Sequence, residues 1–503
     1  MSDETALSDQ IQAVSLQKEK TPLQAFISFP SPYTQTLILT SLASNLTHLN
    51  ILPSLPTTPA YPLLCWADYD VLPHELIQST SASAEPLLLS SSYIYRKSLI
   101  RKHYLHSSIQ EYLGKYDHWV SLGKVKGDTP LRAATPRGWR MELQFADELD
   151  ELFADDLYDL LELMDQGENR QASGEGERNW FILKPGMSDR GMGIRIFSTR
   201  AELEEIFEEM EDDSDDEDED EGEDGDEDNE ENEGGKVATS QLRHFVIQEY
   251  LPNPVLLTPL PAATTDLPLA PANRKFHLRT YVLLSSAYTV HLSRTTLALF
   301  SSLPYSPPET TEESLLPHLT NTCLQPPQSP GEVNEENVHL WWELEGRQFD
   351  EGKSVLTKEL LDFTWERCGE VAGEAIRAAV ECGSVHMQLL PNCFEIFGVD
   401  FLLTLPSSSS PSTDLPQVHI LEFNASPDFH QSGERLQSKI REMFDGVVDG
   451  FVKPFFGIDD DSDDEENEDK ESSAEIKWDG QWEQGMERAG WKCFTKGEIR
   501  RGW

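Results

Sequence analysis

Val418-His419-Ile420-Leu421-Glu422-Phe423-Asn424-Ala425-Ser426-Pro427-Asp428 is an apolar run that ends in Glu-x-Asn and then breaks at a proline. Side chains alternate across a strand, so Glu422 and Asn424 project from one face and bring two oxygen donors to one point. Oxygen donors held together suit Mg2+, which takes carboxylates, waters and nucleotide phosphates. An edge strand whose polar residues face water would carry the same residues, so this segment acquires its meaning from its companions.

Glu395-Ile396-Phe397-Gly398-Val399-Asp400-Phe401-Leu402-Leu403 reads as a second strand, and the Ser- and Pro-rich residues 406–416 return the chain to the first. An antiparallel pair of this kind sets Asp400 facing Glu422. Further upstream, Trp180-Phe181-Ile182-Leu183-Lys184-Pro185-Gly186 is a strand that ends at a lysine, and a Gly-rich turn, residues 187–193, leads to another strand at 194–197. Glycines there admit a phosphate to the backbone N–H groups. Without a Gly-Lys-Ser/Thr opening a helix, this is no Walker loop. His244-Phe245-Val246-Ile247-Gln248-Glu249-Tyr250-Leu251-Pro252 is an apolar strand ending in groups able to hydrogen-bond a base edge. In residues 274–283, alternation puts Lys275, His277 and Arg279 on one face and Phe276 and Leu278 on the other. Three such groups either line an anion site or pair with local carboxylates. Residues 288–294 read as the next strand, bringing Arg294 alongside.

The charge balance is extreme but uneven. Of 90 acidic residues in a 503-residue chain of formal net charge -50, 18 lie in residues 211–233 and 10 in residues 459–471. Such runs repel themselves and bury no apolar surface, so both are expected to be disordered. The remainder is still acidic, which excludes a general nucleic-acid or anionic-membrane surface. The six cysteines are scattered, with no zinc spacing, and point to free thiols in a reducing compartment. The polar first 20 residues and the lack of a long apolar run imply a cytoplasmic chain without a membrane span.

By composition the chain divides into a disordered N-terminus (1–20), a smaller mixed α/β domain (21–175), a larger domain (176–457) interrupted by an acidic insertion (211–235), an acidic linker (458–475) and an aromatic C-terminal segment (476–503). In the first domain, residues 23–29, 63–67 and 86–89 read as strands, 32–42 as the start of a helix and 98–112 as a basic amphipathic helix. Residues 147–163 read as one acidic helix and 166–178 as a polar linker. Residues 358–382 carry apolar side chains at helical spacing and read as a core helix. Trp478, Trp482, Trp491, Phe494 and Trp503 would make a costly apolar patch if exposed, so part of the last segment is expected to dock on the body.

In order along the chain, Phe181-Ile182-Leu183-Lys184-Pro185, Val246-Ile247-Gln248-Glu249-Tyr250-Leu251, Arg274-Lys275-Phe276-His277-Leu278-Arg279, His318-Leu319-Thr320-Asn321, Phe394-Glu395-Ile396-Phe397-Gly398-Val399-Asp400 and Leu421-Glu422-Phe423-Asn424-Ala425-Ser426-Pro427 resemble the motifs of the tubulin-tyrosine ligase family. Tyr95-Arg96-Lys97-Ser98-Leu99 is similar to that family's Arg-Lys-x-x-Leu segment. The resemblance implies an α+β architecture: an ATP-grasp fold of antiparallel sheets with packed helices, preceded by the smaller α/β domain. It also implies ATP and Mg2+ as cofactors. Lys184 would bind the nucleotide phosphates, Gln248 and the backbone of Glu249, Tyr250 and Leu251 the adenine, Lys275 the ribose or phosphate side, and Lys97 a second phosphate. Asp400, Glu422 and Asn424 would hold the Mg2+ ions. Arg279 and Arg294 would orient the amino-acid substrate, with Arg279 near the transferred phosphoryl group.

The implied activity joins a free amino acid to a carboxylate of a protein acceptor, a tubulin C-terminal tail, with tyrosine as the family's substrate and glutamate or glycine as other additions within it. A carboxylate is a poor acylating agent, so ATP first makes it an acyl phosphate that an amine then displaces; metal and fixed cations carry the charge. Two departures stand out. His277 replaces the family's Asp, exchanging a fixed anion for a group near its own titration range, and Ser293-Arg294-Thr295 replaces Tyr-Arg-Glu. The first keeps open a non-catalytic ATP-grasp scaffold that binds a cytoskeletal or regulatory partner; a ligase acting on a small molecule is a third reading. The acidic insertion is read as a mimic of an acidic tail in the acceptor groove.

Overall fold

The computed structural model describes residues 22–81, 87–188, 191–219, 243–260, 273–286, 288–309, 315–325, 335–406, 415–458 and 482–497. The expected disordered N-terminus, most of the acidic insertion, the acidic linker, Trp478 and Trp503 lie outside them. Apolar runs build the first sheet: β1 (Leu23–Ser28), β2 (Leu49–Leu52), β3 (Leu63–Ala67) and β4 (Leu88–Ser90) are parallel, in the order β2-β1-β3-β4. Strands covered on both faces read as continuous apolar stretches, as β1 and β3 do. Helix α1 (Pro32–Asn45) starts where expected. The Ser31 hydroxyl accepts from the Thr34 N–H, and Pro32 occupies the first turn, where its missing N–H costs nothing. The expected basic helix at 98–112 is two helices, Lys97–Ile100 and α2 (Lys102–Ser121), because Arg101 between them is extended.

A second sheet is antiparallel, in the order β5-β8-β6-β7: β5 (Gly138–Glu142), β6 (Phe181–Pro185), β7 (Arg195–Phe197) and β8 (His244–Glu249). One core joins its apolar face to α3 (Leu149–Ala154) and α4 (Tyr158–Ser173). The single acidic helix expected at 147–163 is therefore two, broken at Asp155, whose φ of -133° and ψ of -91° are not helical. The linker expected from 166 is helical to Ser173, where Gly174 stops it with a positive φ of 70°. The apolar stripe continues as Leu160 and Met164, and Arg170 donates to Asn179 at 2.6 Å. Residues 138–173 thus share a core with the strands that follow, so the expected boundary at 175 cuts through one packed unit. The helix Arg200–Glu219 also runs into the acidic insertion, where disorder was expected from residue 211. It is launched by a reciprocal cap: the Thr199 hydroxyl accepts from the Glu202 N–H and the Glu202 carboxylate from the Thr199 N–H.

The largest sheet is antiparallel and places β9 (Arg274–Ser285) between β10 (Thr289–Phe300) and β11 (Phe394–Thr404), with β12 (Gln417–Asn424) outside β11. One of its faces packs Phe276, Leu278 and Val282 on α5 (Lys358–Cys382), the expected core helix. The other packs Tyr281 and Leu283 with β1, β3 and the helix Gln437–Val447. The expected docking of the last segment is present: β13 (Trp491–Lys496) pairs with β10. Trp482 and Trp491 are buried, and their indole N–H groups donate to Gly450 O and Met443 O. No helix among the described residues is long and apolar enough to cross a membrane.

Trp491→Ala removes a buried indole and its hydrogen bond, and is expected to cost about 3–5 kcal/mol in urea unfolding. A loss below about 1 kcal/mol would show that the C-terminal strand is not part of the core.

Candidate functional site

A cleft of about 740 Å3 opens between the two antiparallel sheets. Lys184 at the end of β6 donates to Gln248 Oε1 at 2.8 Å, and Lys275 on β9 donates to Tyr250 Oη at 3.0 Å. Tyr250 in turn meets His318 Nδ1 at 2.9 Å. Both lysines are buried, and among the described residues neither has a carboxylate in direct contact. Burial pushes the Lys184 ammonium down to about 8, with Glu422 opposing and Lys102 adding to the shift. Burial, with Lys184 nearby, pushes Lys275 to about 7. Two cations made unstable by desolvation are a receptive place for a polyanion. Of the segment expected to face adenine, the Glu249 and Tyr250 N–H groups are engaged by Arg137 O and Trp180 O. Gln248, Tyr250 and Leu251 line the cleft, as do His318, Thr320 and Asn321.

The acidic groups lie on the sheet that carries Lys275, across from Lys184. Asp400 is in register with Glu422 across β11 and β12, as the strand reading expects, and with Arg279 across β11 and β9. Arg279 grips Asp400 with two bonds, one from Nε and one from Nη2 at 2.9 Å, and Asn424 Nδ2 donates to Asp400 Oδ2 at 3.3 Å. Glu422 pairs with Lys102 at 3.1 Å. Burial alone would raise the Glu422 carboxyl, but Lys102, Lys184 and Arg279 together hold it well below the usual carboxylate range. His277 lies at 2.5 Å from the Thr320 hydroxyl through Nδ1. Its Nε2 is 3.6 Å from Asp400, buried and without a hydrogen bond; burial holds this ring neutral.

The donor set fits Mg2+. It comprises two carboxylates and one amide oxygen, close to what this ion takes from proteins, the rest coming from water and substrate phosphates. Among the described residues no group of three or more His, Cys, Asp or Glu side chains could hold a metal, so a nucleotide would have to complete the sphere.

Two expected residues are elsewhere. The register between β9 and β10 shifts between Thr280 and Val282, pairing Arg279 with Leu297 and leaving Arg294 inside the irregularity, without a strand partner on β9. Arg294 instead stacks 3.8 Å over Trp365 on α5 and bonds to Asp362 and Glu487 at 2.8–3.0 Å. Lys97 is exposed at the start of its short helix and does not line the cleft. The basic group that reaches the acidic residues is Lys102, which donates to Ser188 O at 2.8 Å besides pairing with Glu422. The density of basic residues from Arg96 to Lys102 was the available signal; only the extended Arg101 decides which of them turns inward. Beyond Asp400 a second chamber is lined by Arg101, Arg279, Tyr281, Asn424 and Asp428.

Residues 145–460 match the tubulin-tyrosine ligase family. The chain is 30% identical over 437 residues to a probable tubulin–tyrosine ligase of Schizosaccharomyces pombe, covering 87% of this chain and 93% of that one. It is 34% identical over 375 residues to the probable tubulin–tyrosine ligase Pby1 of Saccharomyces cerevisiae, covering 73% of this chain but only 43% of that longer protein. The crystal structure of the C-terminal domain of Kluyveromyces lactis Pby1, described as an ATP-grasp enzyme interacting with the mRNA decapping enzyme Dcp2, superposes with a TM-score of 0.55 at 29% identity, over 87% of this chain and 95% of that domain. The paired antiparallel sheets with a cleft between them are therefore an ATP-grasp fold, and the chain belongs to the tubulin-tyrosine ligase family.

Proposed function

We propose that the protein is an ATP- and Mg2+-dependent ligase that joins an amino acid to a protein carboxylate. The observation that supports this best is the cleft itself: the desolvated Lys184 and Lys275 line it together with Asp400 and Glu422, and Asn424 donates to Asp400. A carboxylate oxygen of the acceptor attacks the γ-phosphorus of ATP, the bond to the ADP oxygen breaks, and an acyl phosphate forms. The amino group then attacks the acyl carbon; an amide forms, inorganic phosphate leaves, and the amine loses a proton. Asp400, Glu422 and Asn424 would hold Mg2+, whose chemistry when bound is neutralisation of the phosphate charge. Lys184 and Lys275 would hold the nucleotide phosphates, and Gln248 with the 249–251 segment would receive the base. Arg279, locked in orientation by Asp400, lines the second chamber, where the acceptor carboxylate would lie. A tubulin C-terminal tail is the acceptor that the family supports, and a cytoplasmic location belongs to the same reading.

The interaction of the K. lactis domain with Dcp2 favours a second reading, in which a nucleotide-binding scaffold engages a protein partner of the decapping machinery. Incubation with ATP, Mg2+, single labelled amino acids and detyrosinated tubulin separates the two. The ligase reading expects incorporation by the wild type and a drop of about 100-fold or more in Glu422→Gln; ATP binding with no incorporation of any amino acid supports the scaffold.

The two arginines are expected to behave differently. Arg279→Ala should lose about 100-fold or more in turnover, whereas Arg294→Ala should lower the thermal midpoint and leave turnover within about twofold. Equal losses of turnover would restore Arg294 to the site.

The lysines make nucleotide binding pH-dependent. Their free-state values, about 7 and 8, lie below the ordinary lysine range, and a polyanion binds the charged forms, so binding takes up protons. Affinity should be fullest below about pH 7 and fall as pH rises through about 8. Calorimetry in two buffers of different ionisation enthalpy at about pH 8 should show net uptake, smaller in Lys275→Met; no uptake by the wild type would contradict the assignment.

A further inference from the structure

A buried polar atom that lacks a partner is costly and calls for a reason. Of the buried side-chain nitrogens and oxygens without a hydrogen bond among the described residues, only His277 Nε2 belongs to a residue that lines the cleft. The residue is 3% exposed, and its other ring nitrogen, Nδ1, is held 2.5 Å from the Thr320 hydroxyl. Nε2 lies 3.6 Å from Asp400 Oδ1, too far for a hydrogen bond. Both oxygens of Asp400 are already engaged by Arg279, and one of them also by Asn424. A proton on Nε2 would therefore have no acceptor within reach. With the proton on Nδ1, donated to Thr320, Nε2 turns a bare lone pair toward a carboxylate. That arrangement is repulsive until a cation lies between them.

Two ligands about 2.1 Å from one ion and about 90–120° apart lie roughly 3.0–3.6 Å from each other. The two side chains stand at the outer end of that range without any movement. A hydrogen bond from the second ring nitrogen is how metal-bound histidines fix their tautomer and orientation, and Thr320 occupies that place. Burial keeps the ring neutral, which is the form a metal binds. Two side chains are too few to hold an ion, and no group of three or more His, Cys, Asp or Glu among the described residues could do so; nucleotide phosphates would supply the remaining ligands. A nitrogen donor changes which ion is favoured. Mg2+ takes oxygen and keeps its waters, whereas imidazole suits transition-metal dications, whose affinities rise from Mn2+ through Co2+ to Cu2+. The Asp that the family carries at this position would give an all-oxygen set.

We propose that His277 Nε2 is a metal ligand beside Asp400, and that it shifts the preference of the cleft from Mg2+ toward transition-metal dications bound with the nucleotide. The assignment rests on the nucleotide and metal site of the ligase reading, and not on amide formation. Thr320 is the positioning residue, because it holds the ring with Nε2 toward Asp400. The exchange of Asp for His thereby tunes the metal site and does not abolish it.

The test is electron spin-echo envelope modulation on the full wild-type chain loaded with Mn2+ and a non-hydrolysable ATP analogue that has a methylene between the β- and γ-phosphorus. The spectrum should show a directly bound imidazole nitrogen. The signal should change when the protein is made with nitrogen-isotope-labelled histidine, and should be absent from His277→Gln. In parallel, calorimetry gives the affinity of the same analogue with Co2+ and with Mg2+. The preference for Co2+ over Mg2+ should fall by about tenfold or more from wild type to His277→Asp. Lack of the nitrogen signal in the loaded wild type overturns the assignment, whether or not the variants fold. A signal that survives in His277→Gln, or an unchanged metal preference in His277→Asp, overturns it equally. In these cases the ligase reading stands if labelled amino acid is incorporated. Failure of that reading alone looks different: the nitrogen signal is present while no labelled amino acid is incorporated.

Discussion

Asp400 and Glu422 are carboxylates on adjacent strands, in register and turned into the same cleft. Two anions so placed cannot be buried without nearby positive charge, because desolvation and mutual repulsion both oppose it. Arg279 from the next strand compensates Asp400, and Lys102 from α2 compensates Glu422. The requirement reaches across the molecule. The N-terminal half must send a helix against β12 for Glu422 to be tolerated, and β9 must lie beside β11 for Asp400. An ion pair of this kind adds little net stability and strongly penalises any arrangement that breaks it, so it selects one relative placement of the elements.

The same balance accounts for the substitution at position 277. A second fixed anion beside Asp400 would need a further cation; a neutral, buried imidazole needs only a hydrogen-bond partner, and Thr320 supplies one. The cluster is correspondingly poor in carboxylates, which suits an ion that completes its coordination with phosphates. Lys184 and Lys275, by contrast, are destabilised by burial. The cleft is electrostatically incomplete at these lysines, in the direction that nucleotide phosphates would relieve.

Strand pairing was legible because register follows from alternation: Glu422 and Asn424 on one face, Asp400 opposite, and Lys275, His277 and Arg279 in line are consequences of period-two geometry. The long helix at 358–382 was legible from its apolar spacing for the same kind of reason. What escaped has a different origin. Arg294 was displaced by a strand irregularity that no spacing announces, and it found an aromatic ring and two carboxylates contributed by α5 and the C-terminal segment. Lys97 and Lys102 are equally basic in the sequence, and the backbone at Arg101 chooses between them. The helix through 166–173 was hidden because its polar composition reads as a linker until Asn179 and the neighbouring sheet supply partners.

The sequence by itself determined the order of the strands' chemistry: which residues end β6, β8, β11 and β12, and that oxygen donors and cations alternate among apolar positions. Those features are local, set by side-chain period and by breakers such as Pro427. Only the tertiary structure decided which cations meet which anions, where the helical units end, and that the aromatic C-terminal strand closes the edge of β10. These depend on contacts between residues far apart in the chain, whose energies appear only once desolvation makes each charge depend on its partner.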